Sequence, residues 1–195
     1  MCEKSARGET LKVTPLKSAF MLLTLSLAFA ARPPAPPAGE PQGGVSARAK
    51  GRTSVVVTER GRARSLDLKG RVDAAKVEDV SVLFLTRAGT HAYLLLDVCG
   101  PSKAPPDDRQ CGAGTECNVV WLKLDARWRV ADARSVRYES CWSSVGSEGP
   151  RVAGRRMTLS VEDFRDEALR EVTYDADSPA EGLKVTQSAM PKPTP

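Results

Sequence analysis

The chain has 195 residues, 41% apolar and 27% charged, with a net charge of +5. Those fractions fit one ordinary globular domain and exclude a collagen-like polymer, a multi-span membrane protein and wholesale disorder. There is a single histidine, His91, and a single asparagine, Asn118, so chemistry that needs several imidazoles is excluded.

The first feature along the chain is an address. Residues 19–31, AFMLLTLSLAFAA, form an apolar run behind Lys12 and Lys17. A spanning helix needs about 20 apolar residues, so this run is too short to cross a membrane and suits the core of a secretory leader. Ala28-Phe29-Ala30 has the small-x-small pattern of a cleavage site, which predicts a signal peptide over residues 1–30. Residues 31–52 hold Pro33, Pro34, Pro36, Pro37, Pro41 and Gly43-Gly44. With almost nothing large and apolar to bury, they read as a semi-extended spacer. The folded domain is expected over 53–187, followed by a disordered tail at 188–195.

Within the domain, short apolar bursts separated by turn residues give strand spacing throughout. The predicted strands are TSVVVTE from Thr53, RSLDLK from Arg64, VSVLFLT from Val80, HAYLLLDVC from His91, NVVWLKL from Asn118, RWRVA from Arg127, RSVRYESC from Arg134, RRMTLSV from Arg155, EALREVTYD from Glu167 and EGLKVTQ from Glu181. Ala92, Leu94, Leu96 and Val98 share one face of a strand, as do Val120, Leu122 and Leu124. VSVLFLT and VVWL are apolar on both faces, as expected of strands covered on both sides. Only VEDFRDEALREV, with Val161, Phe164, Ala168 and Val172 at helical steps, competes equally as helix or strand. The fold class is therefore mainly β, an antiparallel sandwich or partly closed barrel with at most one short helix.

Removal of the leader takes Cys2 and leaves Cys99, Cys111, Cys117 and Cys141, an even set that fits two disulfides in an oxidising compartment. No C-x-x-C pair and no neighbouring histidine supports zinc. If HAYLLLDVC and NVVWLKL form a hairpin, Cys99 and Cys117 face each other across the loop base. That leaves Cys111 to pair with Cys141.

The long loop GPSKAPPDDRQCGAGTE from Gly100 is the first place for a site, and SCWSSVGSEGP from Ser140 the second. Candidate binding residues are Asp107, Asp108, Arg109, Thr115, Glu116, Trp142 and Ser143. The Gly-rich half of the first loop lacks both the lysine and the following helix of a phosphate loop. Its two adjacent aspartates lack the calcium-loop pattern, so no cofactor and no metal is assigned. No G-x-S-x-G elbow accompanies His91, and no catalytic residue is assigned. Trp142 either packs over a disulfide or anchors a partner.

Charge is uneven. Residues 47–72 carry eight Lys or Arg against two acids, whereas residues 73–195 carry 16 against 19. The basic stretch would attract a polyanion such as an acidic glycan or a lipid headgroup. Without interleaved aromatics, nucleic-acid readout is disfavoured. Membrane contact is expected only through the leader. The sequence thus predicts a secreted or periplasmic binding module of the cell envelope with an unidentified ligand. The alternatives are a hydrolase using two carboxylates and a purely structural envelope component.

Overall fold

A computed structural model describes residues 44–103 and 114–191. Asp107, Asp108, Arg109 and Cys111 lie outside the described residues. Among the described residues twelve strands follow one another: β1 (Val45–Lys50), β2 (Ser54–Glu59), β3 (Arg62–Asp67), β4 (Asp79–Ala88), β5 (His91–Pro101), β6 (Thr115–Leu124), β7 (Val130–Ser140), β8 (Val145–Gly146), β9 (Arg151–Ala153), β10 (Arg156–Asp163), β11 (Ala168–Asp175) and β12 (Lys184–Ala189). One 3-10 turn, Pro179–Glu181, separates the last two.

The strands form two antiparallel sheets. One is the meander β1-β2-β3; the other runs β12-β11-β10-β8-β7-β6-β5-β4, with β9 paired to β10 beside β8. Strands β4 and β12 end the larger sheet without meeting, so it does not close into a barrel. The mainly β, antiparallel expectation holds in its sandwich form.

Two cores explain the layering. The first gathers Val55, Val57 and Leu66 of the small sheet against Leu94, Leu96, Val98, Val120, Leu122 and Leu124. The second places Leu95, Val119 and Trp121, from the opposite face of β5 and β6, against Met157, Leu159, Val161, Val172 and Tyr174 of β10 and β11. Side chains alternate across a strand, so a strand that is apolar on both faces needs a cover on each. Strands β5 and β6 have both, and form the middle layer. Each fully buried Leu or Val there contributes about 1.5–3 kcal/mol of apolar transfer.

Four segments differ from expectation. VEDFRDEALREV is the β10–β11 hairpin and not a helix. Its turn is set by the Asp163 carboxylate, whose Oδ1 accepts from the backbone N–H of Arg165 and Asp166, both at 3.3 Å, and by Glu167 at φ 48°. Phe164, which a helical reading would bury, is 56% exposed. Strand β1 lies inside the stretch read as spacer, because Val45, Ala47 and Ala49 alternate toward the first core even though the surrounding composition is rich in Pro and Gly. Ser188 and Ala189 belong to β12, paired with Leu169 and Ala168, and not to the tail. The separate predicted strands from Arg127 and Arg134 are joined in β7, which starts only at Val130; Trp128 before it has φ 63° and packs into the first core.

Cys99 and Cys117 are disulfide-bonded and directly paired across β5 and β6. The bridge spans 18 residues of sequence and closes the base of the long loop. Cys141 is also disulfide-bonded, while its expected partner, Cys111, is among the undescribed residues.

Candidate functional site

The two proposed loops converge on one side chain. Arg137, on β7, faces the same side of the sheet as Asn118, its partner on β6. Its guanidinium reaches three neighbours. Nη2 lies 2.6 Å and Nε 2.9 Å from Asp73 Oδ2. Nη1 donates to Ser143 Oγ, and Nε stands 3.8 Å from Glu116 Oε2. Glu116 comes from the end of the first loop and Ser143 from the second, so a planar, multi-donor cation joins them.

Glu116 is only 2% exposed, and a carboxylate so placed must be paired and hydrogen-bonded. Besides Arg137, it accepts from Ser102 Oγ at 2.8 Å. Asn118 is buried as well; its Oδ1 accepts from the Asp73 backbone N–H and its Nδ2 donates to Asp73 Oδ2, both at 3.4 Å. Asp73 lies on the strap between β3 and β4. That strap is bound along the end of β5 by Ala75 N–H to Pro101 O at 2.8 Å and Glu78 N–H to Cys99 O at 3.0 Å.

Of these, Asp73, Asn118, Arg137 and Ser143 line one side of a depression of about 320 Å³, whose wall also includes Ser135, Val145, Asp163 and Arg170. The far wall is the β10–β11 hairpin. There Arg170 Nη2 donates to Asp163 Oδ2 at 3.0 Å, the only hydrogen bond of this guanidinium among the described residues. Its Nε is buried without an acceptor, and most of its donors are uncommitted. The depression is thus polar and carries both signs of charge, with hydroxyl, amide and guanidinium groups directed into it. Both of its aspartates are ion-paired to arginine.

The other expected residues take different places. Thr115 is exposed at the start of β6, opposite Pro101, and does not line the depression. Trp142 is half-buried beside it in the turn between β7 and β8. The Trp142 carbonyl accepts from Arg165 Nη2 at 3.2 Å, and the indole Nε1 is buried without an acceptor. His91 opens β5 and lies 3.3 Å from Thr90 Oγ1. Sequence reasoning missed Asp73, Asn118, Ser135, Arg137, Asp163 and Arg170. Two signals for them were present: the chain's sole asparagine at the head of an apolar strand, and the alternation of Ser135 and Arg137 along one face of β7.

A second polar cluster lies across the sheet and lines no part of this depression. Tyr138 donates to Asp97 Oδ1 at 2.7 Å, and its hydroxyl is 3.5 Å from Cys99 Sγ. Burial pushes the Asp97 carboxyl above its ordinary value, against the opposing hydrogen bond from Tyr138, and burial likewise raises the Tyr138 phenol. No group of His, Cys, Asp and Glu among the described residues is arranged to hold a metal ion. No helix among them is long and apolar enough to cross a membrane. No family model, curated protein or solved structure is significantly similar to this chain.

Proposed function

We propose that the protein is an exported binding module of the cell envelope, and that its ligand occupies the depression between β7 and the β10–β11 hairpin. The observation that carries this reading is Arg137, which is fixed on the wall of a polar concavity by Asp73 and Ser143, with the buried Glu116 outside that wall. Concave sites with a few convergent, orientationally fixed polar groups are where small ligands are held. The uncommitted donors of Arg170 on the opposite wall call for acceptor oxygens, which assigns a hydroxyl- or carboxylate-rich ligand such as an envelope saccharide. Export is supported by the leader-like residues 1–30 and by a disulfide-bonded pair, which persists in oxidising compartments.

Ser135 is exposed on the wall and makes no hydrogen bond among the described residues through its side chain. Ser135→Trp therefore fills the depression without disturbing a core. The test is titration of neutral and acidic envelope oligosaccharides into the purified protein, followed by calorimetry. At least one is expected to bind, with a loss of tenfold or more in the variant, about 1.4 kcal/mol. Equal binding by both proteins would remove the depression from the mechanism, and no binding by any saccharide would remove the ligand class.

A further inference from the structure

The basic stretch of the sequence is not neutralised by the fold. In the small sheet, Val45, Ala47, Ala49, Val55, Val57 and Leu66 face the first core. The opposite face carries Ser46, Arg48 and Lys50 of β1, paired across β2 to Ala63, Ser65 and Asp67 of β3. Arg52 and Arg60 occupy the two turns of the meander. Arg48, Lys50, Arg52, Arg60 and Lys69 are all exposed, and none forms an ion pair among the described residues. Outside this sheet, Arg87, Arg129, Arg137, Arg155 and Arg170 each have a carboxylate partner, while Lys123, Arg127, Arg134 and Arg165 have none among the described residues. The two acids of the basic stretch are engaged locally. Glu59 faces Arg64 and Arg87, while Asp67 accepts from Thr53 Oγ1 and the Lys69 N–H, both at 2.9 Å.

We infer that this outer face is a docking surface for an anionic lipid bilayer, distinct from the depression proposed as the ligand site. Charge complementarity is the first argument: exposed cations without ion-pair partners outnumber the sheet's two carboxylates, Glu59 and Asp67, and leave a net positive potential. Shape is the second. Between the cations stand Ser46, Thr58, Ala63, Ser65 and the buried Val56, and the strands extend about 20 Å. The face is thus broad and carries no aromatic residue on which a sugar ring or a base could stack. Membrane contact in this reading extends beyond the leader to a folded surface.

Arg48, Lys50 and Arg52 are exposed, so changing all three to Ser leaves both cores intact, which unchanged far-ultraviolet circular dichroism would verify. The full chain and this triple variant are sedimented with vesicles of phosphatidylcholine alone and of phosphatidylcholine mixed with phosphatidylglycerol. The wild-type chain should bind the anionic vesicles more tightly, and salt should weaken the difference. The variant should lose about fivefold per cation removed, roughly a hundredfold in all. Equal binding of the wild-type chain to both vesicle types would assign all membrane affinity to residues 19–31 and overturn the inference. So would an unchanged affinity in the variant, or charge-dependent binding to an acidic polysaccharide with none to anionic vesicles.

Discussion

Asp97 is a carboxyl on the apolar face of a middle-layer strand, sharing that face with Tyr93 and Leu95. Removal from water disfavours its charged form, and the nearby Glu139 adds to this. The hydrogen bond from Tyr138 works the other way, and desolvation is the largest of these influences. Its folded-state value is therefore raised above the ordinary 3.8. The sign of the linkage follows: above 3.8 the unfolded chain releases this proton while the folded chain retains it, so stability falls as pH climbs through the interval between the two values. Below 3.8 both states are protonated and the effect is absent. Asp97→Asn keeps an oxygen for the Tyr138 hydroxyl and has no charge to bury. Thermal melts across the acid-to-neutral range should show the variant gaining Tm relative to wild type as pH rises from below 3.8, with the gap levelling off once the folded-state carboxyl has also ionised. A difference that stays flat with pH would show that Asp97 titrates as if exposed.

At the scale of elements, the strap between β3 and β4 shows how a backbone approach sets a site. Gly100 in β5 is buried, and a Cβ there would lie 1.9 Å from the carbonyl oxygen of Lys76 and 3.0 Å from the Cβ of Ala74. Only glycine allows the strap to lie this close. The strap carries Asp73, the carboxylate that orients Arg137. Gly100→Ala should therefore push the strap off β5, destabilise the domain by about 3 kcal/mol, and release Arg137 from Asp73. Urea denaturation reads the first effect; weakened ligand affinity at temperatures where the variant is folded reads the second. A variant as stable as wild type would mean that the strap moves freely. Such an approach has no sequence signature beyond a glycine followed by a proline. What was legible came from two-residue alternation: β5 and β6, the pairing of Cys99 with Cys117, and the two loops that supply Glu116 and Ser143. The hairpin from Val161 to Val172 was ambiguous because its apolar residues satisfy three- and four-residue steps as well as a strand. The Asp163 side chain and the left-handed Glu167 decide it, and neither enters a count of apolar positions. Asp163 and Arg170 were unreadable as site residues because they reach the depression only once the second core has packed β10 and β11 against β5 and β6.

For the molecule as a whole, the layering makes the middle strands dependent on both covers, and the first cover begins earlier than composition indicates. Strand β1 contributes Val45, Ala47 and Ala49 to the first core and runs against β4. Its register with β2 covers six residue pairs, from Val45 opposite Glu59 to Lys50 opposite Ser54. A chain beginning at Thr53, the boundary that Pro and Gly content marks, would lose that burial and expose the inner edge of β2. A chain beginning at Gly44 would lose neither. The apolar transfer of one Val and two Ala, together with the released β2 edge, amounts to roughly 3 kcal/mol. An unpaired edge flanked by Val55, Val56 and Val57 is also a template for strand addition between copies. The shorter chain should accordingly unfold at lower urea and elute as oligomers in size-exclusion chromatography, whereas the chain from Gly44 should match the longer protein in both measurements. Matching stability in the two truncated chains would show that β1 adds nothing to the first core, and the small sheet would then have to be held by β2 and β3 alone.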